Sequence, residues 1–393
     1  MRHLFPSVFA LAAFLILPSH AAESPKRGPI PAPTDHDESL RHEVQRAIDR
    51  GTAWLLLNQN SNGWWTTPDH PAVTALPLVA LNGEPSGKYL KAPTPAIQRG
   101  YAFLLASVKP DGGIYVTNMA NYNTSLSLLA LASAARPEYT AAIRKARAFI
   151  VGTQVDFGVK GQLDTPFDGG VGYGNKYSHS DLNNTLCALE ALYHSKHAVA
   201  DSKTTDSKDL DYAAAIHFLQ NCQNLPSHNT QPWVSGDEAN KGGFIYYPGN
   251  SMAGGVTNSA TGRVALRSYG SASYAGLLSY IYADLPANDA RVVAVLDWLR
   301  ANYTLEENPG MGPQGFYYYL HLLTKGLTAA QVRDFQTKAG KSVNWRHEVA
   351  LKLMNLQKPD GSWANANARW WEKETPLTTS YALMSLELIW RGL

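Results

Sequence analysis

The chain is poor in cysteine and in charge. Its 393 residues hold two cysteines, Cys187 and Cys222. Their spacing makes neither a C-x-x-C redox motif nor a zinc signature, and Cys187 falls within an apolar helical pattern, so a buried free thiol is expected there, while pairing of Cys187 with Cys222 stays open. Charged residues make up 17% of the chain and the formal net charge is +2, too near neutral to argue for nucleic acid or an anionic membrane surface. Beyond the N-terminus no apolar run reaches the ~20 residues a bilayer span needs. There is no G-x-S-x-G elbow, P-loop, H-E-x-x-H pair or EF-hand loop. No cofactor and no metal are therefore predicted. What is abundant is ring surface, with 10 Trp and 20 Tyr. Amphipathic rings in that number suit a lined cavity or binding face as well as a core.

The N-terminus, "MRHLFPSVFALAAFLILPSHAAES", has a basic start (Arg2, His3), an apolar run over 4–17 and small residues at Ser19, Ala21 and Ala22. This is the pattern of a secretory signal peptide over residues 1–22, implying export to the periplasm or outside the cell and a mature chain that does not span a membrane. Residues 23–40 read as a Pro-rich linker, and 41–393 as a single domain.

That domain repeats itself. Six segments share a register that opens a helix: "VTALPLVAL" (73–81), "NTSLSLLAL" (123–131), "NTLCALEAL" (184–192), "ASYAGLLSY" (272–280), "GFYYYLHLL" (315–323) and "TTSYALMSL" (378–386). Thr74, Thr124, Thr185, Ser273 and Thr379 stand second; Phe316 breaks the pattern. Each segment follows an amphipathic helix and a Gly-aromatic turn such as "QNSNGWW" (59–65), "FDGGVGY" (167–173) or "QKPDGSW" (357–363). Six helix pairs without a strand series predict an all-α protein. The second helices are richer in small residues and suit a crowded axis; the first are bulkier and more charged. The expected fold is an α/α toroid (an α6/α6 barrel) with the second helix of each pair inside. The long insertion over 224–271 and the other loops then gather at the rim of a central cavity.

The turn "QKPDGSW", with Gln357, Asp360, Gly361, Ser362 and Trp363, resembles the Q-x-x-D-G-S-W repeat of squalene and hopene cyclases. The six two-helix units resemble the toroid those cyclases share with protein prenyltransferase β subunits. The resemblance covers residues 41–393. It implies the toroid and, at the head of an inner helix, the cyclases' Asp-x-Asp-Asp-Thr acid motif. Here that position reads "DLNNT": Asp181 and Thr185 match, while Asn183 stands where the resemblance implies the proton donor and Asn184 replaces the next Asp. An amide has no comparable acidity, so squalene-type protonation is not expected. The prenyltransferase zinc pair Asp-x-Cys is missing too, because Thr185 and Gln220 precede the two cysteines by two positions.

If the inner helices aim their N-termini at one rim, a polar ring follows by homologous position: Asp69 and His70, Tyr122 and Asn123, His179, Asp181 and Asn183, Ser271 and Tyr274, Gln314 and Tyr317, Glu374 and Thr378. Converging N-termini favour an anionic or polyol ligand. Asp181, Ser271 and Asn123 also read as helix N-caps. The catalytic candidates are Asp181, His179, Glu372, Glu374 and Tyr274. The ligand-binding candidates are Asn123, Asn183, Asn184, Arg263, Arg267, Tyr274, Tyr317, Tyr318, Trp370 and Trp371. The two tryptophans beside Glu372 and Glu374 suit a stacked sugar or a cation, and Arg263 and Arg267 suit an anion. "GFYYYLHLL" sets Phe316, Tyr319 and Leu320 on one face and Tyr317 and His321 on another.

Three readings stay open. The first is binding of an extended ligand or partner segment in an aromatic-lined cavity. The second is a diverged terpene cyclase or other isoprenoid-processing enzyme. The third is a polysaccharide lyase or hydrolase, since α/α toroids also host sugar chemistry. The expected partner is a small hydrophobic, isoprenoid-like molecule, a glycan or a protein segment.

Overall fold

The computed structural model describes residues 35–174, 179–199 and 208–393. The segment read as a signal peptide lies outside the described residues, as does most of the linker. The first helix, α1 (Asp35–Leu57), begins inside the stretch read as linker. Asp37 and Glu38 in its first turn complement the helix dipole, and Asp37 pairs with His347 at 2.8 Å.

Six helices form the inner wall: α2 (Ala72–Asn82), α5 (Ala120–Ser133), α7 (Leu182–His194), α9 (Gly270–Tyr282), α11 (Phe316–Ala329) and α13 (Thr375–Gly392). Each packs against the next in that order, and α13 packs against α2, so the ring closes. Outside them lie α1, α4 (Pro95–Ala106), α6 (Thr140–Val151), α8 (Tyr212–Asn221), α10 (Ala290–Ala301) and α12 (Trp345–Leu356), and a single turn, α3 (Lys88–Lys91), follows α2. The layers differ as their composition predicts. In α5 every residue but Tyr122 is buried, whereas α6 buries Ile143, Ala146, Arg147 and Ile150 along one stripe. The insertion before α9 carries a small antiparallel hairpin of β1 (Gly255–Thr257) and β2 (Val264–Leu266), and β3 (Phe335–Gln336) pairs with β4 (Ser342–Val343) before α12.

The repeated residues hold the turns. Gly63, Gly112, Gly169, Gly242 and Gly361 have φ of +95°, +91°, +88°, +94° and +94°. Each also presses on the outer helix of the following repeat: a Cβ at Gly169 would stand 1.9 Å from the Ala214 carbonyl oxygen, and one at Gly361 2.7 Å from that of Arg50. Only glycine fits both demands. Gln357 Nε2 then donates to Gly361 O and to Ala47 O in α1, both at 2.9 Å, tying the last turn to the first helix. Gln59, Gln154 and Gln223 make the same pair of bonds in their own repeats. In five of the six inner helices the second-position hydroxyl accepts the backbone N–H two residues beyond that glycine: Trp65 to Thr74 (3.1 Å), Ile114 to Thr124 (2.8 Å), Val171 to Thr185 (2.9 Å), Phe244 to Ser273 (3.0 Å) and Trp363 to Thr379 (3.1 Å). Thr185, the last residue of "DLNNT", thus belongs to the scaffold.

Candidate functional site

The inner helices surround a cavity of about 340 Å³. Each helix contributes a row at three- and four-residue spacing, such as Tyr122, Leu126 and Leu129 on α5, or Leu377, Tyr381 and Met384 on α13. Among the described residues six tyrosines line it: Tyr122, Tyr173, Tyr246, Tyr269, Tyr318 and Tyr381. Burial raises their phenols, Tyr173 to about 12, so they stay neutral.

The head of α7 explains what became of the acid motif. Asp181 is fully buried and caps the helix: its carboxylate accepts from Asn184 N at 2.9 Å and from Asn184 Nδ2 at 2.7 Å. Both oxygens are therefore taken up by the cap, and the side chain does not line the cavity. Burial raises its pKa to about 6 against the opposing pull of those bonds. Asn183 does line the cavity, and its amide oxygen accepts the Tyr318 hydroxyl from α11.

Two turns deeper the same helices meet again. Lys325 Nζ on α11 reaches Glu190 Oε1 and Oε2 on α7 at 2.8 and 2.9 Å. Both partners line the cavity. The rungs Asn183–Tyr318 and Glu190–Lys325 are each seven residues on along their helices, so α7 and α11 run parallel with about 10 Å between rungs. Both pass over α9, which presents the small Ser271, Ala272 and Ala275. Beside the deeper rung, His321 stacks on Tyr381 with ring centroids 5.4 Å apart. Its Nδ1 is buried without a hydrogen-bond partner, and burial, reinforced by Lys325, holds its pKa well below the usual histidine value.

At the mouth stand Trp370 and Trp371, 41% and 44% exposed. Both have positive φ, +51° and +66°, a strained conformation for bulky residues. Glu372 holds them there. Its carboxylate accepts from Tyr317 N (3.2 Å), Tyr318 N (2.7 Å) and Asn365 Nδ2 (2.6 Å), capping α11 across the chain. Burial raises its pKa and these donors oppose the rise. Trp371 meets His70 edge-on at 5.4 Å.

Of the residues singled out in the sequence, the cavity thus gathers the candidates Asn183, Tyr318, Trp370, Trp371 and Glu372, together with His70, Tyr122 and Ser271 of the expected polar ring. The others go elsewhere. Asn123 bonds Ala72 N and Asn118 O, and Asn184 holds Asp181. Tyr274 is buried against Tyr319 and Gly326, between α9 and α11. Tyr317 is buried outside the lining set. The His179 ring packs on Tyr247 at 4.5 Å. Glu374 precedes α13 without a side-chain capping bond. Arg263 bonds the carbonyls of Pro232 and Val234, and Arg267 is exposed near the hairpin. None of Asp181, His179, Arg267, Tyr274 and Glu374 lines the cavity.

Glu190, Lys325 and Tyr381 were not singled out, and His321 was placed on a helix face without being given a role in the site. Their signal was the seven-residue step from Asn183 to Glu190 and from Tyr318 to Lys325. Both cysteines are buried and free. Among the described residues no three His, Cys, Asp or Glu side chains group to hold a metal, and no helix is long and apolar enough to cross a membrane.

No protein-family model matches the chain, and no curated protein sequence matches it. Solved structures do. The apo type II terpene cyclase MstE from Scytonema superposes with a TM-score of 0.51 at 13% identity, covering 90% of this chain and 99% of that one. A variant of that enzyme, also apo, gives 0.53 at 14% identity, with 91% and 99% covered. Another variant, in complex with geranylgeranyl dihydroxybenzoate as substrate, gives 0.51 at 14% identity over the same shares. The chain has the α/α-toroid architecture of the type II terpene cyclases, shared at the level of fold.

Proposed function

We propose that the central cavity takes an isoprenoid-type molecule. The observation that carries this is the lining: an apolar, tyrosine-rich bore of about 340 Å³, at the lower end of the range typical of small-molecule sites. In a cyclase of the same fold, geranylgeranyl dihydroxybenzoate is the bound substrate. Neutral phenol faces and the Trp370–Trp371 pair suit an extended, π-rich chain better than a glycan. The two carboxylates that reach the cavity, Glu190 and Glu372, are already engaged by Lys325 and by the start of α11. They do not stand as the free acid pair that glycoside hydrolysis uses. The N-terminal apolar segment supports export as part of the same proposal.

A second reading, processing of that isoprenoid, rests on one observation. Buried ring faces converge around the bore, and such faces stabilise positive charge. With Asn183 where a cyclase of the resembled type has its acid, a reaction here would not start by protonation from that position. Native mass spectrometry and tryptophan quenching with geranylgeraniol test the first reading, with binding in the micromolar range expected. No bound prenyl chain and no quenching would overturn it. Product analysis of the same incubations tests the second: a rearranged or cyclised product supports processing, and recovery of unchanged geranylgeraniol counts against it.

A further inference from the structure

The deeper rung is an odd thing to find in a cavity for hydrocarbon. Glu190 and Lys325 are largely buried, with side chains 8% and 16% exposed. Burying an ion pair carries a large desolvation cost, which mutual attraction alone often fails to offset. Lys325 Nζ has three donors, and two bonds to Glu190 are present. His321 Nδ1, one turn earlier on the same helix, is buried and has no partner. Both residues line the cavity. By contrast, the rung nearer the mouth satisfies itself, since the Tyr318 hydroxyl donates to Asn183. At depth two groups, Lys325 and His321, have unmet hydrogen-bonding capacity, whereas the mouth offers the rings of Trp370 and Trp371 with one such atom, His70 Nδ1, beside them.

We propose that the ligand is an isoprenoid bearing a hydrogen-bonding group, a hydroxyl or carbonyl, and that it binds head-first with this group against His321 and Lys325. Its hydrocarbon chain then runs back past Leu126, Leu186 and Met384 towards the tryptophan pair. An oxygen on the ligand accepts from Lys325, and a ligand hydroxyl donates to the unprotonated nitrogen of His321. A pure hydrocarbon in the same place would leave His321 Nδ1 unpaired and cut the third Lys325 donor off from water, forgoing about 1–3 kcal/mol for such a group. The rung with His321 thus selects a polar-headed isoprenoid over a hydrocarbon of equal length. This inference rests on the cavity taking an isoprenoid at all.

The test compares two probes: geranylgeraniol, and the hydrocarbon of the same chain length lacking the hydroxyl. Affinities are read by tryptophan quenching and by competition in native mass spectrometry. Wild type is expected to favour the alcohol by about tenfold or more, as one or two buried hydrogen bonds allow. Two variants localise the effect. The double variant Glu190→Gln with Lys325→Met removes both charges together, so no lone charge is left buried. His321→Phe keeps the stacked ring. Each is expected to lose most of the preference for the alcohol while still binding the hydrocarbon, and that retained binding reports an intact cavity should the double variant lose stability. Equal affinity of wild type for both probes overturns the inference and leaves the isoprenoid reading standing. So does an undiminished preference in His321→Phe together with the double variant. Failure of wild type to bind either probe overturns the isoprenoid reading, and this inference with it.

Discussion

Asp181 and Thr185 carry the strongest sequence suggestion of acid chemistry, and both can be tested as parts of the scaffold. The Asp181 pKa is raised by burial to about 6, against about 4 for an unperturbed Asp. The folded protein thus holds this proton more tightly than the unfolded chain. The contribution from Asp181 is most favourable below about pH 4 and is lost as the pH rises through about 6, by about 3 kcal/mol in all. Asp181→Asn keeps an amide oxygen to cap Asn184 N and carries no charge, and its NH2 can meet Asn184 Oδ1, which is buried without a partner. Melting curves should show the variant more stable than wild type near neutral pH, with the gap closing towards about pH 4. A variant less stable at neutral pH would mean that the carboxylate is needed as an anion. Thr185→Val leaves the buried Val171 N–H without its acceptor, and urea unfolding should register a loss of about 1–3 kcal/mol. Thr124→Val should lose a similar amount, because the same bond recurs there with Ile114. If Thr185→Val were neutral, the structural account of the motif would be wrong.

At the scale of the elements, stability depends on how each turn grips the next outer helix. Gln357→Ala strips a donor from the carbonyls of Ala47 and Gly361. It should cost about 1–3 kcal/mol and speed amide exchange in α1, the helix that the ring closes upon; unchanged exchange there would remove Gln357 from ring closure. The turn glycines and the second-position hydroxyls were legible in the sequence because they recur, whereas the glutamines keep their four-residue step to the glycine in the first and last turns and stand 15 and 19 residues before it at Gln154 and Gln223. The phase of each inner helix about its own axis was harder to read. Tyr122, Asn183, Ser271 and Leu377 stand two residues before the repeated Thr or Ser and face the cavity. Asn123 and Asn184 stand one before it, and their side chains bind neighbouring backbone or Asp181 instead. A rotation of about 100° per residue separates those fates, and polarity alone does not reveal it. The head of α11, where Phe316 replaces the repeated Thr, was obscure for another reason. It is capped by Glu372, which lies far along the chain, and no local pattern announces such a bond.

For the whole molecule, the ring is both the fold and the container. Six helices closed on themselves leave an axis that side chains fill only in part, and α9 keeps it open by presenting small residues beneath the two rungs. Ala275 is the place to test this. Its side chain is buried and lines the cavity, so Ala275→Phe projects a ring into space that a ligand would use. The ring enters an existing void and does not overpack a filled core, so the penalty should stay below the ~1–3 kcal/mol usual for oversized core residues. Geranylgeraniol at about 100 times its dissociation constant should stabilise wild type by about 2.7 kcal/mol, visible as a rise in the melting temperature. In Ala275→Phe that rise should shrink or vanish while the unliganded melting temperature stays close to that of wild type. An undiminished rise would mean that the prenyl chain binds outside the bore, on the rim or the outer layer, and the toroid would then be a scaffold for a surface site. A large fall in the unliganded melting temperature would mean that the axis is already packed full at α9.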